Sequence, residues 1–508
     1  MTEPLTIDRL RADGEAMSVA LSREFYESGA GLKPDAVLRP IYARYPHVLG
    51  DDALALVRDA FAAAPEGSEA QRGARLLLDW QVDGLVSREL AAMDEREIAW
   101  ESQAMVVLPD GARVPYQQTA IDIANSADRT QRLVLERARA ALVAKELAPM
   151  RRERFEREMA LTDRVGIARG YVDTFIALSG VDLRALSAQC EQFLRDTQAM
   201  WDDTVREIVR LKLGIPVGEA TRADALALMR APEFDARFPG AALEDAARRN
   251  MREMGIDAAA GGHVVFDTGE RAGKRARAFC APVRIPEEVY LVMRPHGGQT
   301  DYTTFMHELG HALHFGNMRA DYPFEYRWLG DNSVTESYAM LFDHLMQNAG
   351  WLLRYTEMNK RTLAAFQRQA GFEELQFLRR YCAKLVYELE LHSGEHAWSA
   401  LPDLYVRTLS GATSFRYDAA DAFVDVDPRF YAARYLRAWQ LQAVIADALV
   451  DTFDEDWYRN PRAGPWIVGQ LFAEGQRELA HELAERVASQ PLSFDPLARA
   501  ATSLLAAV

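Results

Sequence analysis

Two histidines four residues apart, in His307-Glu308-Leu309-Gly310-His311, can aim at one point only if the chain between them is an α-helix, because residues i and i+4 share a helix face. The flanking residues agree with that requirement. Phe305, Leu309 and Ala312 fall on other sides of the helix, where they can pack, and Gly310 lets another element come close. Paired imidazoles of this kind make a candidate metal site. Glu308 stands one step round the helix, within reach of a water on the ion without being a ligand itself.

An ion held in tetrahedral geometry with one position left for water needs a third protein ligand. The extended H-E-x-x-H-x-x-G-x-x-H arrangement requires a glycine and a histidine where this chain has His314 and Asn317, so the third ligand is not a nearby histidine. A downstream carboxylate is the other solution, and Glu336 lies on a new apolar-periodic stretch, DNSVTESYAMLFDHL (331–345). Asp343 follows two turns later on the same face, where a carboxylate can orient a ligand histidine from behind. His314 is read as a packing or supporting residue. These donors suit Zn2+, one ion per chain, although Mn2+ or Co2+ fit them as well.

The rest of the pattern is mostly helical. Apolar residues recur every three or four positions at 53–64, 130–164 and 183–213, the last stopped by Gly214 and Pro216. Short extended pieces, HVVFD (263–267), AFCAPVRI (278–285) and EVYLVMR (288–294), predict a small β-ribbon just before the metal helix. Glycine and proline cluster near 214–217 and 238–240, which suggests an N-terminal helical region over 1–215 and a catalytic region over 216–508, as separate domains or as lobes of one. A net charge of −16 argues against nucleic acid as a partner, since phosphate contacts need clustered cations. Three scattered cysteines make no disulfide framework. No run is long and apolar enough to span a membrane, and no basic-then-apolar leader opens the chain, so the expected location is the cytoplasm.

His307 to His314 as H-E-x-G-H-x-x-H, Glu336-Ser337 at its downstream spacing, and an acid at Asp343 together resemble the zinc oligopeptidases that include thimet oligopeptidase and oligoendopeptidase F. GKRARAFCAP (273–282) and EVYLVMR look like the segments that precede the motif in oligoendopeptidases. At 343 the family usually has glutamate. The resemblance implies a mainly α fold of two helical lobes around a deep channel. It also implies a zinc metallopeptidase that cuts internal bonds of short peptides, with Glu308 as general base. A tyrosine on a C-terminal helix serves that family as oxyanion donor. Here Asp427-Pro428 opens such a helix, and Tyr435 is the better match, with Tyr431 second. The family often has a histidine just before this helix, where this chain carries Asp425, Val426 and Asp427.

For the peptide itself, the strand 288–294 is expected to serve as an edge that pairs with substrate, with Tyr290, Gly297 and Gly298 beside it. His392 and His396 form another pair at i, i+4, but Ser393 follows the first, and they are read as structural. The rival readings are a zinc carboxypeptidase or dipeptidase of similar fold, and an inactive helical binding protein. No group that captures a peptide terminus stands out, no G-x-M-E-N segment for a free amine is present, and the oligomeric state stays open.

Overall fold

The helices begin and end where side chains can satisfy their unpaired backbone groups. The computed structural model describes residues 4–507, and it is mainly α-helical with two small sheets. Asp128 accepts from Thr130 N and Gln131 N at the head of Arg129–Leu142, and Asp182 accepts from Ala185 N at the head of Leu183–Asp196. The helical stretch expected at 130–164 is observed as Arg129–Leu142 and Ala148–Val165, joined by one widened π turn, Val143–Leu147. Pro149 explains the widening, because it has no N–H and its ring crowds the carbonyl a turn earlier. Likewise 183–213 is two helices, Leu183–Asp196 and Gln198–Leu213, the second closed by Gly214.

The chain forms two compact units, each drawn from three stretches. The first comprises Met1–Gly84, Glu233–Ala364 and Arg437–Pro496, and the second Leu85–Pro232, Ala365–Leu436 and Leu497–Val508. Residues 1–215 therefore contribute to both.

Among the described residues the second unit is helical apart from one hairpin, in which β1 (Met105–Val107) pairs antiparallel with β2 (Arg113–Pro115). One buried cation ties several of its helices. Arg379, with no exposed surface, donates to the carbonyls of Ala412 and Leu194 and to Thr197 Oγ1 and Gln198 Oε1. The helix Lys360–Ser393 ends before His396, so His392 and His396 share no helix face. His392 is buried and stacked on Tyr171 at 4.2 Å, whereas His396 faces Glu390 at 2.7 Å.

The first unit holds the three-stranded sheet, in the order β3 (Val264–Asp267), β5 (Glu288–Val292), β4 (Phe279–Arg284). β3 is parallel to β5, and β4 is antiparallel to it, with Cys280 opposite Leu291. This corrects the expectation that 288–294 is an edge: β5 is the middle strand, paired on both sides, and the edges are β3 and β4. The N-terminal helix Ile7–Gly29 covers the sheet, with Tyr26 and Ala30 packed on Ala281, Val283 and Val292. Two half-buried ion pairs fix that helix, Arg11 to Glu325 at 2.5 Å and Arg327 to Glu15 at 2.6 Å. The metal helix Gln299–Gly316 lies on the sheet, with Phe305 edge-on to Phe266. Its other side meets the helix Asn332–Asp343 so closely that a Cβ on Gly310 would lie 2.6 Å from Ala339 Cα and from Tyr338 O. Among the described residues no helix is long and apolar enough to cross a membrane.

Candidate metal centre

The close packing at Gly310 sets Glu336 across from the two motif histidines. Asp331 caps the helix that carries it, accepting from Ser333 N at 2.9 Å and so fixing which way residue 336 faces. Glu336 Oε2 lies 3.4 Å from His307 Nε2 and 3.7 Å from His311 Nε2, and the three candidate ligand atoms are all within 4.8 Å of one another. Three donors at zinc-ligand bond lengths of about 2.0–2.2 Å in a tetrahedron stand about 3.4 Å apart. The spacing fits a single cation.

The donor chemistry fits as well. The Nδ1 of each histidine is engaged away from the cluster, His307 with Asp343 Oδ2 at 2.8 Å and His311 with Thr335 Oγ1 at 2.9 Å. That leaves both Nε2 atoms turned toward Glu336, as ligation requires. The electrostatics favour positive charge. His307 is pushed up to about 10, because burial works against its charge but Asp343 and Glu336 outweigh burial. Burial would raise Glu336, yet the two imidazoles hold its carboxyl far below the usual range. Asp343 is likewise held low against burial, by His344 and His307. It is shared, with Oδ1 on His344 Nδ1 at 2.5 Å.

Glu308 is held by the sheet. Its Oε2 accepts the backbone N–H of Cys280 at 2.7 Å, so the outward edge of β4 runs beside it. A backbone donor gives no sequence signal, which is why the motif alone could not locate this contact. Thr335 was missed for a related reason: it is the neighbour of Glu336 in sequence, and only the packing of two helices brings its hydroxyl to His311.

The other expected site residues have been placed too. Tyr290 stacks on Tyr26 at 3.8 Å and donates to Glu288 Oε1, contacts that serve packing. Gly297 and Gly298, at φ 97° and 93°, make the turn that enters the metal helix. That turn rests on residues 235–240: Gly298 N donates to Phe238 O, and a Cβ on Gly297 would meet Gly240 N at 2.9 Å. Tyr431 and Tyr435 lie on the helix Tyr431–Phe453, in the part that belongs to the second unit. Their rings meet edge-on at 5.1 Å, and Tyr435 also meets Tyr381 at 5.5 Å.

By sequence, the chain matches no family model and no curated protein. By structure it is similar to a Chlamydophila abortus protein assigned as a peptidase, with a TM-score of 0.67 at 12% identity, covering 98% of this chain and 90% of that one. It is also similar to a Pyrococcus furiosus carboxypeptidase (TM-score 0.63, 13% identity, 98% of this chain and 97% of that one) and to BsuCP (0.60, 13%, 97% and 98%). At such identities the likeness shows a shared fold over nearly the whole length.

Proposed function

We propose that the protein is a zinc metallopeptidase that hydrolyses short peptides at internal bonds. The observation that carries the reading is the convergence of His307 Nε2, His311 Nε2 and Glu336 Oε2, both Nδ1 atoms being held elsewhere, with Glu308 on the same helix. The fold shared with proteins named as peptidases supports it. The H-E-x-G-H-x-x-H resemblance favours internal cleavage.

His307, His311 and Glu336 would hold the ion, which when bound supplies Lewis acidity and an acidified water. The protein's own contributions are as follows. Glu308 accepts the proton of the attacking water and returns it to the leaving amine nitrogen. Asp343 and Thr335 keep the two imidazoles from rotating. The substrate takes the outward edge of β4 rather than β5, pairing through outward carbonyls, because the Cys280 N–H is given to Glu308. Antiparallel strands turn alternate residues outward, and the Cys280 N–H on Glu308 shows that Cys280 is one of these. Pro282, which has no N–H, shares that outward phase, where an edge strand tolerates proline. A peptide paired there runs past the base. The oxyanion donor, Tyr435 before Tyr431, rests on the family resemblance.

Metal analysis of the purified chain, then chelation and zinc rescue of peptide hydrolysis, tests this reading. Protein without bound zinc, or hydrolysis indifferent to chelator, would end it. A second reading, a zinc carboxypeptidase, is favoured by the likeness to the Pyrococcus enzyme. Peptides with amidated C-termini separate the two, because only an endopeptidase cuts them as readily as free ones.

A further inference from the structure

The two histidines are not supported alike. His307 leans on a carboxylate, whereas His311 leans on a hydroxyl, and that hydroxyl has a second partner. Thr335 Oγ1 lies 2.9 Å from His311 Nδ1 and 3.1 Å from His314 Nδ1, and His314 Nε2 lies 3.3 Å from the carbonyl oxygen of Gly475. Thr335 and His314 are both buried, His314 with no exposed surface. His314 is boxed by Phe315, Tyr338 and Phe472, so its ring cannot turn freely.

The direction of every bond follows from the fixed end. A carbonyl only accepts, so the hydrogen of His314 sits on Nε2 and its Nδ1 is an acceptor. Thr335 has one hydroxyl hydrogen, which goes to that nitrogen. Its oxygen can then only accept from His311, which must carry its hydrogen on Nδ1. The Nε2 of His311 is left with a bare lone pair, facing Glu336.

We propose that His314 and Thr335 are positioning residues that hold His311 in its ligating tautomer, through a chain of hydrogen bonds anchored on the Gly475 carbonyl. The inference rests on the metal reading above and extends it to two residues that touch neither ion nor substrate.

Zinc affinity of the full chain, measured by competition with a chromophoric chelator, tests it without recourse to activity. Thr335→Val keeps the shape and removes the hydroxyl; it is expected to weaken zinc about 10- to 100-fold and to alter the visible spectrum of the Co2+ form. Thr335→Ser, which restores the hydroxyl, is expected to recover both. Wild-type affinity and an unchanged Co2+ spectrum in Thr335→Val would overturn the proposal. In the unaltered protein, imidazole 15N shifts give an answer that does not depend on a variant folding. His314 protonated on Nε2 is the expected form, and protonation on Nδ1 overturns the chain. A wild-type protein that binds no zinc defeats the metal reading instead, so the two failures are distinct.

Discussion

Glu308 shares a helix with the candidate ligands His307 and His311, and its contact with Cys280 N ties the carboxylate to the edge of β4. Because it is not among the converging ligand atoms, Glu308→Gln is expected to retain zinc while turnover falls by at least about 10²- to 10⁴-fold. Metal content and peptide hydrolysis, measured on one preparation, check both halves. Asp343→Asn keeps the shape of the partner of His307 but removes its charge, and zinc affinity should drop about 10- to 100-fold. At this scale the sequence was informative wherever residue type and helical spacing meet. His307, Glu308, His311 and Glu336 stand out as candidates because only a few residue types bind a metal and only certain spacings can bring them together. Thr335 could not, since threonine occurs everywhere and its partner is chosen by packing.

Between elements, the contact that matters most for the site is the one at Gly310. A methyl group there would press on backbone atoms at Ala339 and Tyr338, which cannot swing aside as a flexible side chain would. Gly310→Ala is expected to cost about 1–3 kcal/mol and to part the ligand helices, lowering the melting temperature and the zinc affinity together. In the second unit the helix Lys360–Ser393 carries Glu388, whose carboxyl burial raises to about 8 although Lys384 opposes the rise. Asp427 N donates to its Oε1, and Asp425 and Asp427 are the nearby acids. Between the ordinary carboxyl pKa and about 8, the folded chain keeps a proton that the unfolded chain has released. This contribution to stability therefore declines as pH rises through that window. Denaturant melts of wild type and Glu388→Gln across the window should converge at the acid end and separate at the alkaline end, with the glutamine variant the more stable. Element type was legible for the helical stretches at 53–64, 130–164 and 183–213 from their spacing, and for all three strands of the larger sheet from their β-branched and aromatic residues between Gly and Pro. Strand order was not. The pattern of 288–294 shows an extended, largely apolar strand, and nothing in it distinguishes a middle strand from an edge.

For the molecule as a whole, the chain order hides the way the units are built. Glu325 and Arg327 are matched by Arg11 and Glu15, and the sheet is roofed by Tyr26 and Ala30. A fragment of residues 216–508 has the full metal motif but lacks Arg11, Glu15, Tyr26 and Ala30, and it would leave Glu325, which is 1% exposed, without its cation. Such a fragment is expected to be unfolded by circular dichroism and to bind no zinc tightly. The glycine and proline clusters near 214–217 and 238–240 sit at helix ends, Gly214 closing Gln198–Leu213 and Pro239 preceding Gly240–Met254, while contact between distant stretches leaves no trace in local composition. The same long-range dependence reaches the site through Gly475. Its φ of 60° and ψ of −137° suit glycine, and a Cβ there would lie 2.6 Å from Tyr326 O. No substitution can delete a main-chain oxygen, so the final acceptor in the support of His311 is open to mutation only through displacement of the backbone. Gly475→Ala should loosen zinc even though residue 475 has no side chain to lose.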